Sequence, residues 1–254
     1  MNLVIDHEAR VLRLKLNRPD KRNALNADMC SKIVEAITEG QNNQNVGSIF
    51  ISAAGQVFCA GMDLDEAVGC TGTELAEVHE KLFTIGANSL KPIVLYVNGP
   101  ALGGGLGLVA QGHAVVAADG AVFGLTEIRV GLWPFLVYRA VEAALGARRT
   151  LELSLTGRVF STLDALHWGL AHYVFPASDA ADHAAAIARD LAKASPIAIQ
   201  AGMQYVRESR GKSWKEAGQL ATALRRKLMD SADFKEGCAA FKEKRDPRWP
   251  ALYS

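Results

Sequence analysis

"PIVLYVNGPALGGGLGLVAQGHAVVAAD", residues 92 to 119, is the stretch that decides the fold. It has two apolar runs on either side of residues 101 to 112, where five of twelve positions are glycine. Each glycine costs about 1 kcal/mol relative to alanine inside a helix, yet the segment is too apolar for an ordinary surface loop. The glycines therefore indicate either a tightly packed buried helix or exposed backbone N–H groups at its start.

Strands and helices alternate around this stretch, which predicts an α/β fold with a parallel sheet and crossover helices. Asn98, Gln111 and His113 interrupt the apolar run, so we interpret it as strand, helix and strand rather than a membrane span. Thr71 and Glu74 have the spacing of a capping box for a helix that reaches Leu90. The other predicted elements are a hairpin over 3–17, strands over 48–54, 92–99 and 114–119, and a helix from Asn26 to Gln41.

The second half of the chain is predicted to be mainly helical. Pro134 begins a helix that ends near Gly146, and Ser195-Pro196 has the sequence of a capped helix start. Ser213 and Glu216 have the spacing of a second capping box, and helices are expected over most of 179–244. We therefore expect an α/β core over residues 1–195 and a helical region over residues 196–254.

Composition narrows the classes of function. Hydrophobic residues make up 49% of the 254 positions, enough for a sizeable core, and the net charge of +1 favours neither nucleic-acid nor membrane binding. His167 and His172 lack the spacing of a helical zinc pair, so no metal is expected. The chain has no N-terminal signal segment and no cysteine pairing pattern, so we expect a cytoplasmic protein. The cysteines are Cys30, Cys59, Cys70 and Cys238.

Two glycine-containing segments are candidates for a backbone binding site. "FCAGMDL" (58–64) follows a predicted strand, and its small residues leave backbone N–H groups uncovered, although an ordinary turn gives the same pattern. Gly103, Gly104 and Gly105 begin the predicted glycine-rich helix, where free N–H donors allow close approach of a ligand oxygen. Tight helix packing is the structural alternative for this second segment.

A dinucleotide site is a rival interpretation of the glycine run. Gly105, Gly107 and Ala110 match the pattern G-x-G-x-x-A of nucleotide-binding βαβ units. That fingerprint belongs directly at the end of the first strand, whereas several residues intervene here.

The third candidate segment is "FGLTEIRVGLWP" (123–134), which places Glu127 among apolar neighbours. A carboxyl group near apolar surface has a raised pKa and can act as a base or acid near neutral pH. A surface ion pair with Arg129 is the commoner arrangement for such a residue.

Taken together, these segments resemble the crotonase superfamily, the enoyl-CoA hydratase/isomerase family. The resemblance covers nearly the whole chain and keeps the order and spacing of the family's motifs. Its motifs here are "NRPDKRNAL" (17–25), "FCAGMDL" (58–64), "VNGPALGGGLGL" (97–108), "FGLTE" (123–127) and "LTGRVFSTLDALHWGLAHYVF" (155–175).

The resemblance implies a β-β-α spiral core with a helical C-terminal trimerisation region, and a homotrimer or a dimer of trimers. It also implies an enzyme that binds an acyl-CoA thioester and stabilises its enolate, with coenzyme A as part of the substrate and no separate cofactor. The backbone N–H groups of Met62 and Gly104 would form the oxyanion hole. The residues that would bind CoA or lie beside it are Lys21, Arg22, Ala24, Ala60, Asp63 and Leu64.

The sequence departs from the family's hydratases at one decisive position. Those enzymes carry two glutamates, one matched by Glu127 and the other by Gly107. Isomerases of the family use a single glutamate, so the resemblance favours migration of a 3-enoyl-CoA double bond to the 2 position. Hydration of a 2-enoyl-CoA and a catalytically degenerate acyl-CoA-binding protein are the alternatives.

The acyl pocket is expected to differ from that of typical hydratases. Gly107, Trp133 and Phe135 are predicted to line it, because bulky residues replace the glycine-rich segment that many hydratases have after the second glutamate. Tyr138 is a candidate proton donor, although a core tyrosine is the commoner case. The acidic residues that could replace the missing carboxylate are Asp65, Glu66, Glu74 and Glu77.

Overall fold

The computed structural model describes residues 2–69 and 73–253. This part of the chain contains nine strands: β1 (Leu3–Glu8), β2 (Val11–Leu16), β3 (Ser48–Ala53), β4 (Ile93–Val97), β5 (Ala101–Leu102), β6 (Ala114–Ala118), β7 (Val122–Gly124), β8 (Val159–Ser161) and β9 (Tyr173–Phe175). Its α-helices are α1 (Ala27–Asn42), α2 (Leu64–Gly69), α3 (Thr73–Asn88), α4 (Gly104–Val109), α5 (Phe135–Leu145), α6 (Ala147–Thr156), α7 (Thr162–His167), α8 (Ala180–Ala192), α9 (Pro196–Ser209), α10 (Trp214–Met229) and α11 (Ala232–Glu243).

A six-stranded sheet in the order β1-β2-β3-β4-β6-β9 carries the core. Strands β1 and β2 pair antiparallel, which confirms the predicted hairpin, and every other pairing in this sheet is parallel. Apolar side chains fill both faces, because helices cover the sheet on each side. The predicted alternation of strands and helices is therefore confirmed for the first half.

A second, three-stranded sheet in the order β5-β7-β8 was not predicted. Its strands are only two or three residues long, too short for a hydrophobic period to be visible in the sequence. Strand β5 leads directly into the glycine run, and β7 is followed by a 3-10 turn over Glu127–Val130. This small sheet thus brings two of the candidate segments together.

Local capping signals set the predicted helix starts. Asn26 accepts a hydrogen bond from the Met29 backbone N–H at 3.1 Å, and Ser195 caps α9 with Pro196 at the first helical position. Ser213 and Glu216 form both hydrogen bonds of a capping box at the start of α10. The proposed box at Thr71 lies outside the described residues, as does the side chain of Glu74.

Helix α8 covers one face of the main sheet with a stripe of alanines. Ala180, Ala184, Ala188 and Ala192 are buried against apolar residues of the strands. Helices α9 to α11 follow as a group, and the Ser195 hydroxyl donates to Asp233 at 2.6 Å to connect the start of α9 with α11. No helix of the described residues is long and apolar enough to cross a membrane.

Candidate active site

The segment "FCAGMDL" (58–64) runs between two other parts of the chain and is held by both. Leu25 N–H donates to the Gly61 carbonyl at 2.7 Å, and Asp63 N–H donates to the Leu25 carbonyl at 2.9 Å. On the other side, Leu102 N–H donates to the Cys59 carbonyl at 2.9 Å. These bonds fix the first loop against the start of the glycine run.

Gly61 and Gly104 place the backbones of the two loops in direct contact. A Cβ atom on Gly61 would lie 2.9 Å from the Leu102 carbonyl oxygen and 3.3 Å from the Gly104 nitrogen, so only glycine permits this approach. Gly61 also has φ = +97°, a backbone conformation that favours glycine. The two loops therefore meet through backbone atoms.

Two backbone donors remain free where the loops meet. Within the described chain, neither Met62 N–H nor Gly104 N–H donates to a backbone acceptor, although the residues beside each are hydrogen-bonded. Gly104 is the first residue of α4, where N–H groups have no intrahelical partner. Both residues line the same cavity, which makes the pair a candidate for binding one oxygen atom that gains negative charge.

Glu127 lies next to these donors. Its carboxyl group approaches the backbone of Gly103, because a Cβ on Gly103 would be 3.3 Å from Glu127 Oε1. The other oxygen, Oε2, is buried without a hydrogen-bond partner. Burial raises the pKa of the Glu127 carboxyl, against a smaller opposing effect of its own backbone N–H. The carboxylate is thus suited to accept a proton near the free N–H groups.

A cavity of about 370 Å³ contains this arrangement, and its walls are mainly apolar. Of the described residues that line it, Glu127 is the only carboxylate. The predicted site residues on its wall are Ala60, Met62, Leu64, Gly104, Glu127, Trp133 and Phe135. Lys21, Arg22, Ala24, Asp63 and Gly107 lie away from the described cavity wall.

Gly107 has no room for a side chain. A Cβ there would collide with Val137 of α5, whose own Cβ would be 2.7 Å away, and would lie 3.2 Å from a ring carbon of Phe83. Phe83 and Val137 line the cavity in its place. The position of the missing carboxylate is therefore filled by apolar side chains.

The two glycines of the G-x-G-x-x-A match allow α4 to pack closely against neighbouring segments. Gly105 and Gly107 are both inside α4, where Gly105 packs against the Cys59 carbonyl and Gly107 against Val137. Neither lies on the described wall of the cavity. The arrangement does not match a phosphate-binding turn, which leaves its glycine backbone open at the end of a strand.

Acidic residues after the first loop have structural partners. Asp63 forms an ion pair with Arg18 at 2.9 Å. Burial acts to raise the pKa of Asp63, but Arg18 and the backbone N–H groups of Glu66 and Asp65 together hold this pKa below its usual range. Lys21 pairs with Asp65 at 3.1 Å, while the Ala27 N–H donates to Glu66 at 2.8 Å. Neither Asp65 nor Glu66 therefore replaces the carboxylate missing at position 107, and Glu77 is not on the described cavity wall.

The segment that contains Arg22 and Ala24, both predicted to lie near CoA, runs beside the first loop. Ala60 N–H donates to the Arg22 carbonyl at 3.0 Å, and Leu25 lines the cavity. The side chains of Lys21 and Arg22 are both exposed. Tyr138, considered as a proton donor, stacks on Trp133 with ring centres 6.3 Å apart and is not part of the described cavity wall.

His79 of α3 is a cavity residue that the sequence interpretation missed. It is only 5% exposed, lines the cavity and has a buried Nε2 without a hydrogen-bond partner. One signal was available, because His79 interrupts the apolar stripe formed by Leu75, Leu82 and Phe83 on one face of the helix.

Among the described residues, no other histidine and no cysteine lines the cavity. His113 Nδ1 accepts from Ile93 N–H at 2.9 Å, and His172 Nδ1 accepts from Val115 N–H at 3.0 Å, so both hold strand ends. Cys30, Cys59 and Cys238 are free thiols, while Cys70 lies outside the described residues. The described residues contain no group of three or more potential metal ligands.

Comparison with known proteins places the chain in a family. A model of the enoyl-CoA hydratase/isomerase family matches residues 6–251. An enoyl-CoA hydratase of Mycobacterium tuberculosis is 31% identical, covering 97% of this chain and 95% of that one, and the 2,3-dehydroadipyl-CoA hydratase of Escherichia coli is 32% identical, covering 96% and 97%. The crystal structure of human enoyl coenzyme A hydratase domain-containing protein 3 matches with a TM-score of 0.93 and 27% identity, covering 98% of this chain and 100% of that one. The predicted crotonase-like fold is confirmed, and the chain belongs to the enoyl-CoA hydratase/isomerase family of acyl-CoA enzymes.

Proposed function

We propose that the enzyme isomerises a 3-enoyl-CoA to the conjugated 2-enoyl-CoA. The observation that carries this proposal is the filling of the Gly107 position by Phe83 and Val137. Addition of water in this family's hydratases uses two carboxylates, whereas a double-bond shift needs one group that removes and returns a proton. Glu127 is the carboxylate available for this role among the described cavity residues.

In the proposed reaction, Glu127 removes a proton from C2 of the thioester, and the electrons of the C–H bond delocalise onto the thioester oxygen. The N–H groups of Met62 and Gly104 stabilise the resulting dienolate. The protonated Glu127 then donates a proton to C4, which moves the double bond to C2–C3. Burial of Glu127 supports this exchange. It raises the pKa of the carboxyl group and so brings that pKa closer to the pKa of the substrate's carbon acid.

We assign the CoA moiety to the surface beside the first loop. Lys21 and Arg22 are exposed cations there and are proposed to contact its phosphates, while Ala24 and Ala60 lie along its path. Asp63 would act indirectly, since its ion pair with Arg18 holds the loop that carries Met62. Leu64, Trp133 and Phe135 are proposed to contact the acyl-thioester portion from the cavity wall.

We also propose that residues 196–254 form an oligomerisation region after a catalytic core of residues 1–195, in a homotrimer or a dimer of trimers. Large apolar side chains on the C-terminal helices support this division: Trp214 is 97% and Phe241 is 85% exposed in the single chain. Sedimentation equilibrium of the wild-type chain should give the mass of three or six copies, and a monomer would contradict the proposal.

Hydration of a 2-enoyl-CoA is the second candidate, favoured by the names of the relatives. A two-substrate assay separates the reactions through the absorbance of the conjugated enoyl thioester. An isomerase raises this absorbance with a 3-enoyl-CoA and does not lower it with crotonyl-CoA. A loss of absorbance with crotonyl-CoA that depends on Glu127 would contradict the isomerase proposal, because hydration would then proceed without the second carboxylate.

A further inference from the structure

His79 is a buried polar group in the cavity that the proposed reaction does not use. Its Nε2 atom is fully buried and has no hydrogen-bond partner. Its ring packs on Phe83 at a tilt of 48°, with ring centres 5.7 Å apart. Leaving a buried polar group unpaired is unfavourable, and His79 lines the cavity, so a ligand that pairs with the imidazole gains affinity.

The position of His79 relative to the free N–H donors follows from its neighbours on α3. Phe83, one helical turn further along α3, touches the oxyanion end, since its ring would be 3.2 Å from a Cβ on Gly104. Ala76, about one turn before His79, also lines the cavity. His79 is therefore displaced from the free N–H donors by about one turn of helix along α3, far enough to meet the acyl chain of a thioester whose oxygen binds those donors.

The state of the ring limits which ligand groups it can bind. Burial lowers the pKa of His79, which favours the neutral imidazole with one N–H donor and one acceptor nitrogen. A hydroxyl group fits either tautomer, because it can donate or accept a hydrogen bond. A carboxylate is disfavoured, since the neutral ring offers no charge and Glu127 lies in the same cavity.

We propose that His79 is a specificity-determining residue that forms a hydrogen bond with a hydroxyl group on the acyl chain. The preferred ligands are then hydroxylated acyl-CoA thioesters rather than unsubstituted or carboxylated ones. This inference rests on the proposed function only in requiring that the cavity holds the acyl group of a CoA thioester. An unsubstituted chain would leave the imidazole nitrogen both dehydrated and unpaired, which is the basis of the discrimination.

The test measures by calorimetry the binding of saturated six-carbon acyl-CoA esters. Separate esters carry no substituent, a hydroxyl group at C4, C5 or C6, or a terminal carboxylate. We expect wild-type protein to bind at least one hydroxyl ester about tenfold more tightly than the plain ester. His79→Phe should abolish that preference while it keeps affinity for the plain ester, and His79→Gln should retain part of it. Equal affinity for all esters, tightest binding of the carboxylated ester, or an unchanged preference in His79→Phe would overturn the inference.

The saturated esters cannot isomerise or add water, so this result is separate from the reaction. Hydroxyl preference without isomerase activity would refute only the proposed reaction, whereas isomerase activity without hydroxyl preference would refute only the role of His79. A kinetic readout is kcat with a plain 3-enoyl-CoA in His79→Phe and in His79→Gln. A loss of more than a hundredfold in kcat, with the same loss in His79→Gln, would make His79 catalytic and would overturn its assignment to specificity.

Discussion

The two walls of the cavity are built from different parts of the polypeptide. The oxyanion wall consists of backbone atoms around Gly61 and Gly104, held by hydrogen bonds between loops. The acyl wall consists of side chains on α3 and α5, namely His79, Phe83 and Val137. Backbone N–H donors can bind the thioester oxygen of any acyl-CoA, whereas side chains determine whether a second carboxylate fits at position 107 and which acyl groups fit in the cavity. In the proposed function, enolate stabilisation and the choice of reaction are therefore set by separate regions.

Among changes to the two walls, the largest effect on catalysis should come from a methyl group on the oxyanion wall. We expect Gly61→Ala to push the two loops apart, because its Cβ would lie 2.9 Å from the Leu102 carbonyl oxygen. Loss of one aligned donor lowers kcat by about 10²–10³-fold in other enzymes, and we expect a similar loss here. Steady-state kinetics with a 3-enoyl-CoA measure it.

Gly120→Ala is the matched control for backbone strain. Gly120 also has a positive φ of +85°, but a Cβ there meets no atom within 4 Å. It should therefore lose some stability and keep kcat. If Gly61→Ala and Gly120→Ala reduce kcat equally, strain rather than donor geometry explains the effect, and the account of the oxyanion wall fails.

Behind the acyl wall, a methyl group added at position 107 should mainly lower the stability of the fold. Gly107→Ala forces a Cβ against Val137, and overpacking of this kind costs about 1–3 kcal/mol in the free energy of unfolding. Val137→Ala in the same chain should restore part of that loss by making room. Urea unfolding of the single and double variants measures both effects.

Gly218→Ala on α10 is the control for this substitution, since no atom lies within 4 Å of its Cβ position. Alanine is the better helix former, so this variant should gain up to about 1 kcal/mol. A Gly107→Ala protein as stable as Gly218→Ala would show that position 107 has space, and the argument against a second carboxylate would lose its basis.

A smaller effect should appear in the pH dependence of stability. Because burial raises the pKa of Glu127 in the folded chain, its contribution to stability is complete below the unfolded pKa and is lost as pH rises through the folded pKa. Glu127→Gln removes this ionisation, so its Tm relative to wild type should be higher at pH 8 than at pH 4. Glu39→Gln, at an exposed site on α1, controls for the change in net charge. A Tm difference for Glu127→Gln that does not vary with pH would contradict burial of the charge.

Much of the fold follows from local signals in the sequence. Asn26, Ser195 and the pair Ser213–Glu216 begin helices where their capping patterns predict. Strands β3, β4 and β6 were predicted because each lies in a mainly apolar run long enough to recognise, whereas the three-residue β9 of the same sheet was not predicted. Met62, Gly104 and Glu127, which the family motifs single out, line one cavity, and their catalytic roles stay predictions.

The remaining features depend on contacts between distant segments. The sequence shows that position 107 is glycine, but not that Phe83 and Val137 occupy the adjoining space. His79 looks like a core histidine in its helix, and only packing of α3 beside the glycine run brings it to the cavity. The β5-β7-β8 sheet escaped prediction because its strands gain their pairing from tertiary structure rather than from local preference.

Turnover of a 3-enoyl-CoA by Glu127→Gln is the most direct test of the central claim that one carboxylate carries the proton. Glutamine keeps the shape of the side chain and cannot accept the proton, so we predict a loss of activity of at least a thousandfold. Affinity for a saturated acyl-CoA should stay within about threefold of wild type, which shows that the cavity is intact. Retained turnover in a variant that still binds the thioester would contradict the role of Glu127.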